Sequence, residues 1–289
     1  MKQFNKTFVF GLVLGVTLLF LGNSILSAAN CKAVYGKGKY EFRLATGSPG
    51  ELGLLNALAE PFNKKNNTRL CWTKAGSGKS LILLKNKEVD MGMVHAPSAE
   101  KKAVKEGWAI KRTLIGSNEF YIVGPKDDPA KISDAKSAAE AYSKIAKEKS
   151  NFLSRGDNSG THKKEMTIWG KAGIKPSGKW YIITKDFMMA TLKRADKEKG
   201  YFMVDSSTWV AGKKELTNTK VLFRGDPLLI NTYHALCLPD GTTDGQPYAS
   251  KFIDFVSSEE GQKIIREYGT SLYGEAMYND AAYAKKYDH

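Results

Sequence analysis

Short apolar runs alternate with segments of helical periodicity in the first half of the chain. The runs at 40–46, 68–73 and 89–94 have the length of buried strands, and each is followed by a segment whose apolar residues recur at intervals of three and four. Strands that alternate with helices in this way predict an α/β fold built on a parallel sheet.

The second half of the chain continues the alternation. Its patterns predict strands at 119–123, 180–184, 201–204 and 228–238, and helices at 133–149, 188–199 and 251–268. At 289 residues the chain is long enough for one large domain or for two smaller ones, each with its own core.

The first 29 residues have the pattern of an export signal. Lys2 and Lys6 precede an apolar run at 7–21, and the small residues at 27–29 fit a cleavage site. The apolar run is shorter than a usual membrane span. We therefore predict that 1–29 is a signal peptide and that the protein is periplasmic or extracellular. Cys31 follows closely, so a lipid anchor stays open as an alternative.

The chain is basic, and it stays basic after removal of the predicted signal peptide. Without the two lysines of that segment, 42 basic residues stand against 30 acidic ones. This charge attracts anions. The lysines are spread along the chain without a basic block or an aromatic ladder, so we predict no nucleic-acid partner.

The cysteines and histidines indicate neither a metal site nor a cofactor. The three cysteines, Cys31, Cys71 and Cys237, allow one disulfide in an exported protein, and the sequence leaves the pairing open. The four histidines lie far apart, with no cysteine or carboxylate cluster at ligand spacing. We expect no bound metal cation and no cofactor.

The most informative stretch is SRGDNSGTH at 154–162. It follows a short apolar run and precedes a helical pattern, so Ser159, Gly160 and Thr161 would open a helix. A helix start presents unpaired N–H groups and a partial positive charge to an anion. Arg155 adds a planar set of donors that matches tetrahedral oxyanions and carboxylates. The alternative is a capped helix beside a surface arginine.

Two further strand-to-helix junctions carry small residues and hydroxyls. One is Thr46-Gly47-Ser48, where Ser48 and Glu51 have the spacing of a capping box, and the other is Ser77-Gly78. A doubly wound sheet would place three such junctions along one crevice at the carboxyl ends of its strands. GSGKS at 76–80 does not complete an NTPase phosphate loop, because Thr73 stands where that motif needs its first glycine.

Several segments resemble those of the periplasmic tungstate-binding proteins that serve ABC uptake systems, and the match runs over most of the mature chain. They are VHAP at 94–97, IVGPKDDP at 122–129, SRGDNSGTHKKE at 154–165 and GDPLL at 225–229. The segment at 252–263 resembles the closing helix of extracellular solute-binding proteins more broadly.

The resemblance implies a type II periplasmic-binding-protein fold, in which two lobes joined by two crossover strands close on one oxyanion. The crossovers would be the strands at 119–123 and 228–238. The first lobe would combine 30–120 with 230–289, and the second would span 121–229. The protein would act as a monomer that delivers the anion to an ABC permease, without catalysing a reaction.

The resemblance also implies a ligand site. In that family, residues at the positions of Arg155 and Thr161 hold the oxyanion, together with hydroxyls in the turn after the first strand and at Ser77. With the helix starts described above, the candidate ligand-binding residues are Thr46, Gly47, Ser48, Ser77, Arg155, Ser159, Gly160, Thr161 and Thr208.

The chain departs from the family pattern at three places around this site. It has ATGS at 45–48 in place of a hydroxyl-rich turn, KDFMM at 185–189 in place of a glycine-rich one, and DSST at 205–208 without the family's arginine. These changes favour a closely related alternative, the same fold with another anion such as an organic carboxylate.

Two other functions stay open from the sequence. Ser159 and His162 suggest an exported hydrolase, although the chain has no G-x-S-x-G elbow. A sensor that binds the same ligand would differ only in its partner, a signalling protein.

Overall fold

The computed structural model describes Met1 and residues 30–288. The predicted signal peptide therefore lies, apart from Met1, outside the described residues. The strands are β1 (Ala33–Tyr35), β2 (Tyr40–Thr46), β3 (Thr68–Lys74), β4 (Met91–Val94), β5 (Ile110–Pro125), β6 (Phe152–Ser154), β7 (Tyr181–Ile183), β8 (Tyr201–Asp205), β9 (Thr219–Phe223) and β10 (Ile230–Cys237).

Helices cover the sheet and close the chain. They are α1 (Ser48–Glu51), α2 (Leu54–Asn66), α3 (Ser77–Lys85), α4 (Pro97–Lys105), α5 (Ala138–Glu148), α6 (Gly160–Lys171), α7 (Met188–Glu198), α8 (Ser206–Gly212), α9 (Gln246–Ser257), α10 (Glu259–Glu267), α11 (Thr270–Tyr273) and α12 (Ala281–Ala284). Short 3₁₀ helices occupy Ile132–Asp134, Lys213–Glu215, Pro227–Leu229 and Lys285–Tyr287.

Two parallel groups of strands are joined through β5 and β10. The sheet order is β1-β3-β2-β4-β10-β5-β8-β6-β7, and β9 also pairs with β5. Strands β2, β3 and β4 are parallel to one another, as are β6, β7 and β8. We call strands β1–β4, with the helices that pack on them, the first half, and strands β6–β9, with their helices, the second half. The predicted α/β fold with two crossover strands is confirmed.

Strand β5 connects the two halves. Its beginning pairs antiparallel with β10, from Ile110 to Glu119, and its end pairs with β8 and β9, from Phe120 to Pro125. The sequence predicted only its apolar end at 119–123. The earlier part escaped prediction because it contains polar residues that are half-buried rather than a continuous apolar run.

Each half has its own hydrophobic core. In the first half, Phe42, Phe62 and Phe252 pack together with ring centroids 5.0–5.7 Å apart. In the second half, Tyr142 and Phe152 pack on the fully buried Trp169, at 4.3 and 5.2 Å. Buried aromatic groups of this kind contribute to the stability of the half in which they lie.

The cores follow the chain segments of the predicted lobes closely. Among the buried core residues, Phe120 and Val210 are the two whose cluster differs from the one that the boundaries 30–120 plus 230–289 and 121–229 assign. The exact boundaries between the lobes stay a prediction.

The end of the fold differs from the sequence prediction. The single helix expected at 251–268 is two helices, α9 and α10, because Ser258 leaves the helical conformation and its hydroxyl accepts a hydrogen bond from the N–H of Gly261. No helix within Met1 and 30–288 has both the length and the apolar character that crossing a membrane requires.

The structure resolves the cysteine pairing. Cys31 and Cys71 form a disulfide, and Cys237 is a buried free thiol in β10. The bond fastens the segment before β1 to β3, next to the antiparallel pairing of Val34 with Cys71. Because its sulfur is in the disulfide, Cys31 has no free thiol for a lipid.

Removing this disulfide should destabilise the first half. We expect the C31A/C71A variant to lose about 3 kcal/mol of unfolding free energy, because the bond closes a long loop in the unfolded chain. Urea unfolding with and without reductant measures this. Reductant should lower the unfolding free energy of the wild type, whereas that of the double variant should not change. A wild type that is equally stable in both conditions would contradict the prediction.

Candidate anion-binding site

A small cavity lies between the two halves, beside the crossover strands. The first half contributes the turn after β2, the start of α3 and the end of β4, and the second half contributes the loop before α6 and the starts of α7 and α8. Its lining residues are Thr46, Gly47, Ser48, Pro49, Gly76, Ser77, Met93, His95, Phe120, Arg155, Ser159, Thr161, Phe187, Met188, Asp205, Asn231 and Tyr233. Its volume, taken as the room for the centre of a water molecule, is about 10 Å³.

The two halves touch at the helix starts because glycines allow it. A Cβ atom at Gly76 would lie 3.1 Å from Ser159 Cβ, and one at Gly78 would lie 2.8 Å from the Asn158 carbonyl oxygen. At Gly160 a Cβ atom would overlap the ring of His95, at 2.4 Å. The starts of α3 and α6, which belong to different halves, are therefore in direct contact.

Arg155 is buried at this junction, with 5% of its surface exposed. Its Nε donates to the Asp186 carbonyl oxygen at 3.1 Å, and its Nη2 donates to Asp157 Oδ2 at 2.6 Å. The Asp157 carboxylate is thereby held in its charged form. Burial alone would raise the pKa of Asp157, but the Arg155 charge and hydrogen bonds from Ser159 lower it below its ordinary value.

Helix α6 begins where the sequence predicts. Ser159 is its N-cap, and the Ser159 hydroxyl oxygen accepts a hydrogen bond from the N–H of His162 at 3.3 Å. The proton of this hydroxyl is donated to the Asp157 carboxylate, and this is one of the hydrogen bonds that lower the pKa of Asp157.

Thr161 carries a buried hydroxyl without a partner. The residue is 1% exposed, and its Oγ1 has no hydrogen bond to any described residue. An unpaired buried hydroxyl costs about 1–3 kcal/mol. Since Thr161 lines the cavity, this group is a donor without an acceptor at the wall of the site.

The two hydroxyls contributed by the first half differ in what they can donate. Ser77 Oγ accepts a hydrogen bond from the N–H of His95 at 3.1 Å, so its proton remains free for a ligand. Thr46 Oγ1 donates to the Met93 carbonyl oxygen at 2.8 Å, so its proton is already used. Both residues line the cavity.

The capping box predicted for Ser48 and Glu51 is wrong. Gly47 is the N-cap of α1 and no side chain caps that helix, because Ser48 is already its first residue. The Glu51 carboxylate instead pairs with Lys74 Nζ at 2.8 Å. Gly47 and Ser48 nonetheless line the cavity, and the Ser48 hydroxyl is not needed for a cap.

Two candidate residues lie off the cavity wall. Gly160 provides the close contact with His95 rather than a lining group. The Thr208 hydroxyl donates to Asp205 Oδ2 at 2.9 Å, and the Thr208 N–H donates to Asp205 Oδ1, so Asp205 is the N-cap of helix α8. In the structure, therefore, the polar groups of Thr208 are used within α8 rather than turned to the cavity.

Sequence reasoning missed a buried polar chain that crosses both crossover strands. His95 Nδ1 and Asn231 Oδ1 lie 2.8 Å apart, and Asn231 Nδ2 donates to Asn118 Oδ1 at 2.8 Å. Asn118 Nδ2 donates to Asp205 Oδ1 at 3.3 Å and to Ser207 Oγ at 3.1 Å. Asn118 and Asn231 are asparagines within strands, and no local motif marks them.

His95 is the member of this chain closest to the helix starts. Burial lowers its pKa to about 4, so the imidazole is neutral at physiological pH. Since Asn231 presents its carbonyl oxygen, His95 Nδ1 carries the proton and donates it. The ring also packs on Tyr233 with centroids 4.9 Å apart. Its position at the end of β4 was the only sequence signal.

Ser159 and His162 do not form a nucleophile and base pair. His162 Nδ1 accepts a hydrogen bond from the N–H of Asn158 at 3.0 Å, and the Ser159 oxygen is engaged by the backbone of His162. A nucleophile would need its hydroxyl hydrogen-bonded to the base. Within the described residues there is also no group of three or more His, Cys, Asp or Glu able to hold a metal ion.

Comparison with known proteins places this geometry in a family. Residues 34–260 match the PBP superfamily domain. The chain is 33% identical over 241 residues to the tungstate-binding protein TupA of Peptoclostridium acidaminophilum, which covers 82% of this chain and 84% of that protein.

Two solved structures are similar as well. The tungstate ABC transporter structure from Geobacter sulfurreducens is 36% identical with a TM-score of 0.73, covering 80% of this chain and all of that one. The tungstate-binding protein TupA from Desulfovibrio alaskensis G20 is 35% identical with a TM-score of 0.68, covering 83% and 98%. The chain therefore belongs to the PBP superfamily and is a solute-binding protein, which confirms the resemblance and the type II fold.

A buried carboxyl group supports the Arg155 loop from behind. Glu165 accepts hydrogen bonds from Ser154 Oγ at 2.8 Å, Tyr181 OH at 2.7 Å and Trp169 Nε1 at 3.2 Å. Ser154 Oγ in turn accepts from the N–H of Gly156. Burial raises the pKa of Glu165 from 4.5 to about 7, although the three hydrogen bonds oppose the shift.

This carboxyl should make stability depend on pH. Because the pKa of Glu165 is higher in the folded than in the unfolded chain, its contribution is complete below pH 4.5 and is lost as the pH rises through 7. We expect the wild type to lose about 2 kcal/mol more unfolding free energy than E165Q between pH 5 and 8.5. Urea unfolding at both pH values measures this, with the exposed Glu148→Gln as control. Equal pH dependence in wild type and E165Q would contradict the assignment.

Proposed function

We propose that this protein captures one small oxyanion of the tungstate or molybdate kind between its two lobes and delivers it to an ABC permease. The observation that carries the proposal is the pair formed by Arg155 and Thr161. A buried guanidinium and a buried hydroxyl without a partner line one cavity. An anion with several oxygens would satisfy both groups.

The donors come from both halves, which suits a ligand held by closure. Ser77 in the first half and Thr161 in the second each have a hydroxyl proton available, whereas the Ser159 hydroxyl already donates to Asp157. Hydrogen bonds to a charged oxygen contribute about 1.5–3 kcal/mol each. Asp157 already neutralises one edge of Arg155. Affinity would therefore rest on several neutral donors and on part of one positive charge.

The size of the cavity favours a compact ligand over an organic carboxylate. Room of about 10 Å³ for a water centre corresponds to about one water molecule. A tetrahedral oxyanion needs a smaller displacement of the walls than a carboxylate with a carbon skeleton. The names of the relatives point the same way, since two are tungstate-binding proteins.

The proposal is that the protein binds its ligand without catalysing a reaction, which excludes the hydrolase alternative. Its support is the engagement of His162 by the backbone of Asn158 and the relatives, which are named as binding proteins. We also propose that 1–29 directs export, that the protein acts as a monomer, and that its partner is a permease rather than a signalling protein. Comparison of the neighbouring genes would test the last point.

Substituting Thr161 should separate binding from stability. Val has nearly the shape of Thr but no hydroxyl, and the Thr161 hydroxyl has no partner to lose. We expect T161V to keep or raise the melting temperature of the ligand-free protein and to raise the Kd for tungstate about tenfold or more, equivalent to about 1.4 kcal/mol. Calorimetric titration and thermal unfolding measure the two effects.

T161S is the matched control, because it retains the hydroxyl. Its Kd for tungstate should stay within a few-fold of the wild type. If T161V binds tungstate as tightly as the wild type does, the hydroxyl does not contact the ligand. A wild type that binds neither tungstate nor molybdate would reject the proposed function itself.

A further inference from the structure

At the edge of the cavity, an aromatic ring of the second half contacts a lysine of the first half. Phe187 lies immediately before α7 in the second half and lines the cavity. Lys74 is the last residue of β3 in the first half, and its Nζ lies 4.1 Å from the centroid of the Phe187 ring. The Arg155 guanidinium carbon lies 5.5 Å from the same centroid. One ring thus contacts a cation from each half.

Both contacts have favourable cation–π distances. A cation over an aromatic face within about 6 Å is attracted by the ring, more strongly when water is excluded. The contact between Lys74 and Phe187 joins residues of different halves, so it must break when the halves separate. The contact between Arg155 and Phe187 lies within the second half and persists.

Neighbouring bonds fix both partners of the contact. Lys74 Nζ donates to Glu51 Oε1 at 2.8 Å, which orients the ammonium from the first half. On the other side, Arg155 Nε donates to the Asp186 carbonyl oxygen, and the N–H of Lys185 donates to the Arg155 carbonyl oxygen at 2.9 Å. The ring and the guanidinium therefore move together.

We propose that Phe187 is a latch and a size filter for the anion site. Its ring closes the cleft against Lys74 after the oxyanion has entered, slows release of the anion, and occupies the space that a ligand with a carbon skeleton would need. This inference rests on the proposed function and adds the residue that selects compact oxyanions. Phe187 falls in the segment 185–189, where the sequence departs from the family pattern.

Release kinetics test the latch. In stopped-flow measurements with molybdate and tungstate, we expect F187L and K74Q each to raise the release rate about tenfold. The double variant should release the anion no faster than either single variant, because the two substitutions remove the same contact between Lys74 and Phe187. K74R, which keeps the cation, should release the anion nearly as slowly as the wild type. Lys286→Gln is the matched control, since Lys286 Nζ lies 4.1 Å from the Tyr283 ring away from the cavity.

Selectivity tests the filter. The ratio of the Kd for malonate to the Kd for tungstate should be at least tenfold lower in F187A than in the wild type.

If the wild type binds an oxyanion and F187L and K74Q release it at an unchanged rate, the latch is overturned and the proposed function stands. A rate increase in K74Q that does not depend on the ring at position 187 would also overturn it. If the wild type binds no oxyanion, the proposed function fails, and the latch fails with it.

Discussion

Burial of the Arg155 guanidinium is the constraint on which the site depends. A buried charge without compensation is strongly destabilising, so the surrounding structure must supply partners. Asp157 supplies a carboxylate and Asp186 a carbonyl oxygen, while Glu165 supports the loop through Ser154. Asp157 also accepts from the N–H of Ser159, which fixes the start of α6 relative to the guanidinium. The same bonds that make burial tolerable therefore aim the arginine and the helix start at one place.

The crossover strands contribute more than a connection between the halves. Asn118 on β5 and Asn231 on β10 are buried and bonded to each other, and they link His95 in the first half to Asp205 in the second. Amide groups in such a position must stay paired, because an unpaired buried polar group is costly. The arrangement restricts how the two halves can be placed while they remain in contact. Asp205 lines a site proposed for anions, but its carboxylate accepts hydrogen bonds from Asn118, Ser207 and Thr208.

The sequence predicted those features that depend on local signals. The start of α6 at Ser159 and the parallel strands were visible because caps and apolar runs are local. The short strand β9 was missed because its sequence is partly polar and its pairing with β5 is distant in the chain. The capping box predicted at Ser48 was wrong because the same spacing also occurs where the serine is already inside the helix. The roles of His95, Asn118 and Asn231 could not be predicted from the sequence, because they arise only from contacts between remote segments.

Location of the anion tests the central claim most directly. Crystals grown with tungstate can be measured at a wavelength where tungsten scatters anomalously, so the metal position is found without assumptions about the ligand. We expect one strong peak in the cavity, with tungstate oxygens within hydrogen-bond distance of Thr161 Oγ1, Ser77 Oγ and the Arg155 guanidinium. A peak elsewhere in the molecule, or well-ordered crystals without one, would contradict the account.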